Sequence, residues 1–129
     1  MEEPRGSETV LLVEDEESLR KLARAMLQQL GYRVLEASGP GEALALCEKY
    51  EGEIHLLFTD VVMPLMNGND LSQRIRAVRP SVRALFMSGY TSNAISHHGV
   101  LEPGVAFIQK PFNRQELARK VREVLDKVS

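Results

Sequence analysis

The chain of 129 residues contains one cysteine, Cys47. No disulfide can form within it, which fits a reducing compartment. Cys47 falls on an apolar phase of an expected helix with nothing basic adjoining it, the setting of a small core residue rather than of a redox thiol. No apolar run approaches the roughly 20 residues needed to span a bilayer, and no signal-peptide pattern opens the chain. The cytoplasm is therefore the expected location, with no membrane contact by this domain. The 16 Lys and Arg residues are scattered among 18 Asp and Glu, for a net charge of −2. With no basic patch, no direct contact with nucleic acid is expected. Repeats and low-complexity tracts are lacking too.

What is present suits one domain, long enough to build a hydrophobic core without staples. Met1 to Ser7, polar with Pro4 and Gly6, read as a flexible leader or linker (1–7), and 8–128 as the folded domain. Short apolar runs then alternate with amphipathic segments. The runs are Thr9–Val13, Tyr32–Ala37, His55–Thr59, Val82–Met87 and Val105–Gln109. Helices are expected over Glu17–Leu30, Pro40–Tyr50, Asn69–Val78, Ser92–His98 and from Asn113 to about Lys127. Leu19, Leu22, Ala23, Met26, Leu27 and Leu30 mark one face of the first. Gly31 stands where a left-handed cap is wanted, Pro40 suits a first turn, and Asn113 with Glu116 forms a capping-box pattern. Five β-α units with near-continuous apolar strands predict an α/β fold: a doubly wound parallel sheet of five strands with helices on both faces.

Chemistry gathers where the runs end: Glu14 and Asp15 after the first, Asp60 after the third, Ser88 after the fourth and Lys110 after the fifth. Singly, each has an ordinary explanation. An acid after a strand is most often a turn or cap residue, Ser88-Gly89 suits a turn, and Lys110 a solvated surface. If the strands are parallel, their carboxyl ends share one edge, and three carboxylates, a hydroxyl and an ammonium converge in a crevice where such sheets build sites.

The motifs Leu11-Leu12-Val13-Glu14-Asp15-Glu16, Asp60-Val61-Val62-Met63-Pro64-Leu65-Met66-Asn67-Gly68, Met87-Ser88-Gly89-Tyr90-Thr91 and Lys110-Pro111-Phe112, in this order, resemble a receiver domain of the two-component response-regulator family (the CheY-like superfamily). The likeness covers Thr9 to about Lys127. It implies a flavodoxin-like fold with strand order 2-1-3-4-5, which brings Glu14, Asp15 and Asp60 together. Three like charges in one pocket need a cation or protons, and an all-oxygen site suits Mg²⁺, with Mn²⁺ as a substitute. The resemblance implies Asp15, Asp60 and the Val62 carbonyl as ligands, with Glu14 acting through a coordinated water. Asp60 is the implied phospho-acceptor, taking a phosphoryl group from a histidine kinase or phosphotransfer domain. Lys110 and Ser88 hold phosphoryl oxygens, and a cis Lys110-Pro111 peptide aims the lysine inward.

The implied switch draws Ser88 toward the phosphoryl group and turns Phe107 inward, changing the face made by the fourth helix, fifth strand and fifth helix for an effector or a phosphorylation-dependent dimer. Permanent burial of Phe107 is the alternative. Val62 and Tyr90 beside the pocket offer no group to position water, so slow self-dephosphorylation is expected. His97 and His98 point apart on a helix and read as surface residues. The chain is thus read as a signalling receiver that assists its own phosphorylation and dephosphorylation, not as an enzyme. Its phrasing is similar to receivers fused behind hybrid sensor histidine kinases. Rival readings are a degenerate, binding-only receiver, a haloacid-dehalogenase-type hydrolase, which would need a second acid at Val62, and a flavodoxin-like flavin carrier, whose phosphate loop Glu14-Asp15-Glu16-Glu17 would repel.

Overall fold

A computed structural model of the chain describes residues 5–61, 66–88 and 106–127. Five strands, β1 (Thr9–Val13), β2 (Arg33–Ala37), β3 (Leu56–Asp60), β4 (Arg83–Ser88) and β5 (Phe107–Gln109), pair in parallel in the order β2-β1-β3-β4-β5. Among the described residues four helices cover them: α1 (Glu17–Gln29), α2 (Pro40–Lys49), α3 (Gly68–Val78) and α4 (Arg114–Asp126). The expected helix over Ser92–His98 lies outside the described residues, so α4 is the C-terminal helix. No described helix is long and apolar enough to cross a membrane.

Alternation along the central strands divides the core in two. Val10 and Leu12 of β1, with Leu56 and Phe58 of β3, pack under Ala23 and Leu27 of α1 and Leu117 and Val121 of α4. Leu11, Val13 and Leu57 face the other way, onto Ala43 and Cys47 of α2 and Leu71 and Ile75 of α3. Every residue of β1 and β3 is buried, as continuous apolar runs require when helices lie on both faces. Phe58 meets Phe112 with ring centroids 5.9 Å apart and planes tilted by 56°, which ties β3 to the chain after β5.

Local chemistry sets the helix ends. Gly31 takes a φ of 101° after α1, a left-handed turn that costs glycine little. Pro40 opens α2. The Asn67 side chain accepts from the Asp70 N–H at 2.8 Å, and Asn113 and Glu116 complete a reciprocal capping box. Arg79, just past α3, donates to the carbonyls of Cys47 (2.9 Å), Gly52 (2.8 Å) and Tyr50 (2.5 Å). It thereby satisfies the C-terminal end of α2 with a side chain from another helix. One departure from the expected pattern is Leu22, which is 52% exposed rather than facing the core.

Candidate functional site

Sheet order and register bring the acids together. Val13 lies opposite Thr59 on the adjacent strands β1 and β3, so Glu14 and Asp60 continue that pairing at the carboxyl edge. Asp60 and Ser88 are the last residues of β3 and β4. Both are buried, Asp60 at 5% and Ser88 at 1% exposure. Carboxylate oxygens of Glu14, Asp15 and Asp60 all lie within 4.8 Å of one another.

Lys110 enters from the far side. β5 pairs with β4, the Lys110 N–H donates to the Ser88 carbonyl at 2.9 Å, and the Lys110-Pro111 peptide is cis. The ammonium donates to Glu14 Oε2 at 3.1 Å and to Asp60 Oδ1. Glu14, at 2% exposure, also accepts the Glu16 N–H on Oε1 at 3.1 Å. Asp15 is exposed and accepts no hydrogen bond from a described residue. The site therefore holds one open carboxylate beside two enclosed ones.

The electrostatics follow from this crowding. Burial, then the Glu14 carboxylate, pushes the Asp60 pKa well above the aspartate range against the opposing pull of Lys110. Burial also acts to raise Glu14, but hydrogen bonds from Asp60, the Glu16 N–H and Lys110 outweigh it and hold Glu14 below its ordinary value. For Lys110 burial acts downward, and the two carboxylates together overcome it and raise the ammonium's pKa. Two carboxylates this close share a proton in preference to both ionising.

The donors are all hard oxygens, one of them open to solvent, and the like charge they concentrate exceeds what one ammonium cancels. That set fits Mg²⁺, which favours a few carboxylates and retained waters. Val62, Tyr90, His97 and His98, which carried further expectations, lie outside the described residues. Phe107 does not: it sits opposite Phe86 on the short β5 and is 40% exposed, which removes the alternative of permanent burial.

Two contacts at the site had not been expected. The Arg20 guanidinium of α1 donates to the Glu14 backbone carbonyl at 2.9 Å. The Gly68 backbone packs so closely on the Asp60 carbonyl that a Cβ there would collide with it. Asn67-Gly68 in the sequence signals only a turn, whereas Arg20 leaves one faint trace: a cation near the start of a helix, where the macrodipole disfavours it.

Residues 10–122 match the family described as the response regulator receiver domain. The chain belongs to that family. The sensor kinase CckA of Brucella abortus (strain 2308) is 40% identical over 122 residues, 95% of this chain but 13% of that protein. The response regulator receiver protein CpdR of the same organism is 27% identical over 116 residues, 90% of this chain and 95% of the relative. The chain thus spans a small part of the first relative's length and nearly all of the second's. Among solved structures, Vibrio cholerae chemotaxis protein CheY4 is similar with a TM-score of 0.79 at 29% identity, covering 93% of this chain and all of the other. The receiver domain of the hybrid histidine kinase CckA gives 0.73 at 34% identity, over 89% of this chain and 96% of that one. This receiver is accordingly a domain of two-component signalling.

Proposed function

We propose that this receiver accepts a phosphoryl group on Asp60 from the phosphohistidine of a histidine kinase or phosphotransfer domain, with Mg²⁺ at the acidic cluster. The observation that carries the reading is the convergence of Glu14, Asp15 and Asp60 within 4.8 Å with the Lys110 ammonium across two of them. A carboxylate oxygen of Asp60 forms the new O–P bond as the donor P–N bond breaks, its electron pair returns to the ring nitrogen, and the imidazole, already protonated on its other nitrogen, leaves neutral. Asp15, Asp60 and the Val62 carbonyl would hold the ion directly, with Glu14 through a water. When bound, Mg²⁺ neutralises the carboxylates and a phosphoryl oxygen.

The chain's own groups do the rest. Lys110 neutralises a second phosphoryl oxygen as a point charge, leaving Asp60 for it on an arm already aimed at the site. The buried Ser88 hydroxyl hydrogen-bonds a third. Phe107, partly exposed at the sheet edge, turns inward as Ser88 moves, and β5 with its flanking helices carries the change to an effector or a second copy. The identity with CckA favours an origin in a hybrid sensor kinase, with a cytoplasmic location. Val62 and Tyr90 make self-dephosphorylation slow, which stopped-flow decay within seconds would refute.

The test is incubation with Mg²⁺ and acetyl phosphate, read by intact-mass spectrometry. One phosphoryl adduct is expected in the wild type, and none in Asp60→Asn or without Mg²⁺. An unlabelled wild type, under conditions that label another receiver, would leave a binding-only domain.

A further inference from the structure

The only side chain among the described residues that donates to the backbone carbonyl of Glu14 is Arg20, at 2.9 Å. Arg20 is itself held. Its Nε lies 3.7 Å from Glu36 Oε1 on β2, and Glu36 Oε2 also receives Arg24 at 2.7 Å, one turn further along α1. The Arg20 side chain is 18% exposed. This makes a strut from the edge strand through α1 to the peptide that joins Glu14 to Asp15.

That peptide matters because of what its neighbours lack. Glu14 is fixed at three further points: its N–H on the Ala37 carbonyl at 3.2 Å, Oε1 on the Glu16 N–H and Oε2 on Lys110. The Asp15 carboxylate accepts nothing from a described residue and is exposed, so among the described residues its own backbone alone aims it at the cluster. The plane of the Glu14–Asp15 peptide sets that aim, and Arg20 grips the oxygen of that plane.

We infer that Arg20, anchored by Glu36, is a positioning residue for the cation site: it orients the Glu14–Asp15 peptide so that the Asp15 carboxylate faces Asp60. The inference rests on the proposed Mg²⁺-dependent site. It has a signature that proximity alone would not give. A cation beside a Mg²⁺ site repels the ion, so its removal should tighten binding if charge were its only effect. Loss of a strut loosens binding instead, as for other groups that orient metal ligands.

The experiment is calorimetric titration of the purified chain with MgCl₂ for wild type, Arg20→Met and Arg20→Lys. Amide hydrogen exchange at Asp15 and Glu16 is followed in metal-free protein. Arg20→Met should weaken Mg²⁺ binding by about tenfold and speed exchange in the 14–16 turn. Arg20→Lys keeps the charge without a plane that spans Glu36 and Glu14, and should fall between the two. In Glu36→Gln, binding should weaken in the wild-type background and hardly change when Arg20→Met is already present. Binding by Arg20→Met or, if that variant does not fold, by Arg20→Lys that equals or exceeds wild type overturns the inference and leaves the receiver reading intact. Exchange unchanged in both variants overturns it equally. A wild type that binds no Mg²⁺ overturns the receiver reading itself, and the inference with it.

Discussion

Replacing Asp60 with asparagine should change how the stability of the metal-free receiver depends on pH. Burial, and then Glu14, pushes the folded-state pKa of Asp60 up to about 8, with Lys110 pulling the other way. In the unfolded chain an aspartate titrates near 3.9. Between these values the folded protein keeps a proton that the unfolded chain has released, so stability falls as pH rises. For one whole proton the slope is about 1.4 kcal/mol per pH unit. From about pH 5.5 to about pH 7.5 the wild type therefore loses up to about 3 kcal/mol through this group. Glu14 and Lys110 add no slope there. Glu14, held below its ordinary value, contributes stability that is complete above the carboxylate range and lost only on acidification. Lys110, raised above 10.5, contributes stability that is complete below that value. Asp60→Asn removes the titration, so the assay is urea unfolding followed by circular dichroism, in chelator, at both pH values. The wild type should lose stability relative to the variant as pH rises. Added Mg²⁺ should offset the wild-type loss, because the ion needs ionised carboxylates. Parallel pH profiles for the two proteins would refute the reasoning.

Gly68→Ala places a Cβ against the Asp60 carbonyl and 3.2 Å from Phe86 Cδ1; it should cost about 1–3 kcal/mol in urea unfolding and slow acetyl phosphate labelling as Asp60 shifts. Arg79→Met strips the donors from three carbonyls at the end of α2 and should cost about 2 kcal/mol. Labelling should persist in that variant, since the clamp lies away from the acidic cluster. Asn113→Ala breaks the capping box of α4 and should lower stability by about 1 kcal/mol, read as a shifted urea midpoint with an unchanged m-value.

The sheet was legible because its central strands are buried on both faces, and burial on both faces writes itself as unbroken Val, Leu and Phe. The caps at Gly31, Pro40 and Asn113 were legible because each depends on residues a few positions apart. Strand ends were legible only to within a residue: the apolar runs stop at Thr59 and Met87, and pairing with Met87 and Gln109 carries β3 and β4 on through Asp60 and Ser88. Register belongs to the neighbouring strand, which local polarity does not report. Leu22 shows the converse limit, since helical period marks a stripe of about the right width but not where the packing partner stops. Arg20 and Gly68 were beyond reach for a third reason. Their roles are contacts with backbone oxygens of the site, and nothing in a residue's type tells which distant carbonyl it will meet.

The separations inside the cluster explain why the site behaves as a product of the whole fold. Lys110 reaches Glu14 across 96 positions of sequence and Asp60 across 50, and neither bond can form until β1, β3, β4 and β5 have assembled in order. Until then the three acids are apart and fully hydrated, and assembling them concentrates like charge in a desolvated corner, which opposes folding. One lysine and one shared proton relieve part of that cost, and hydrophobic burial along the strands overcomes the remainder. The residual excess of negative charge is what a divalent cation would neutralise in the proposed site. In the proposed site, Lys110, which donates to both Glu14 and Asp60 in the metal-free protein, would be free to turn to a phosphoryl oxygen with the carboxylates neutralised. The same crowding that weakens the metal-free fold is therefore what would favour a cation at the cluster under the proposed function.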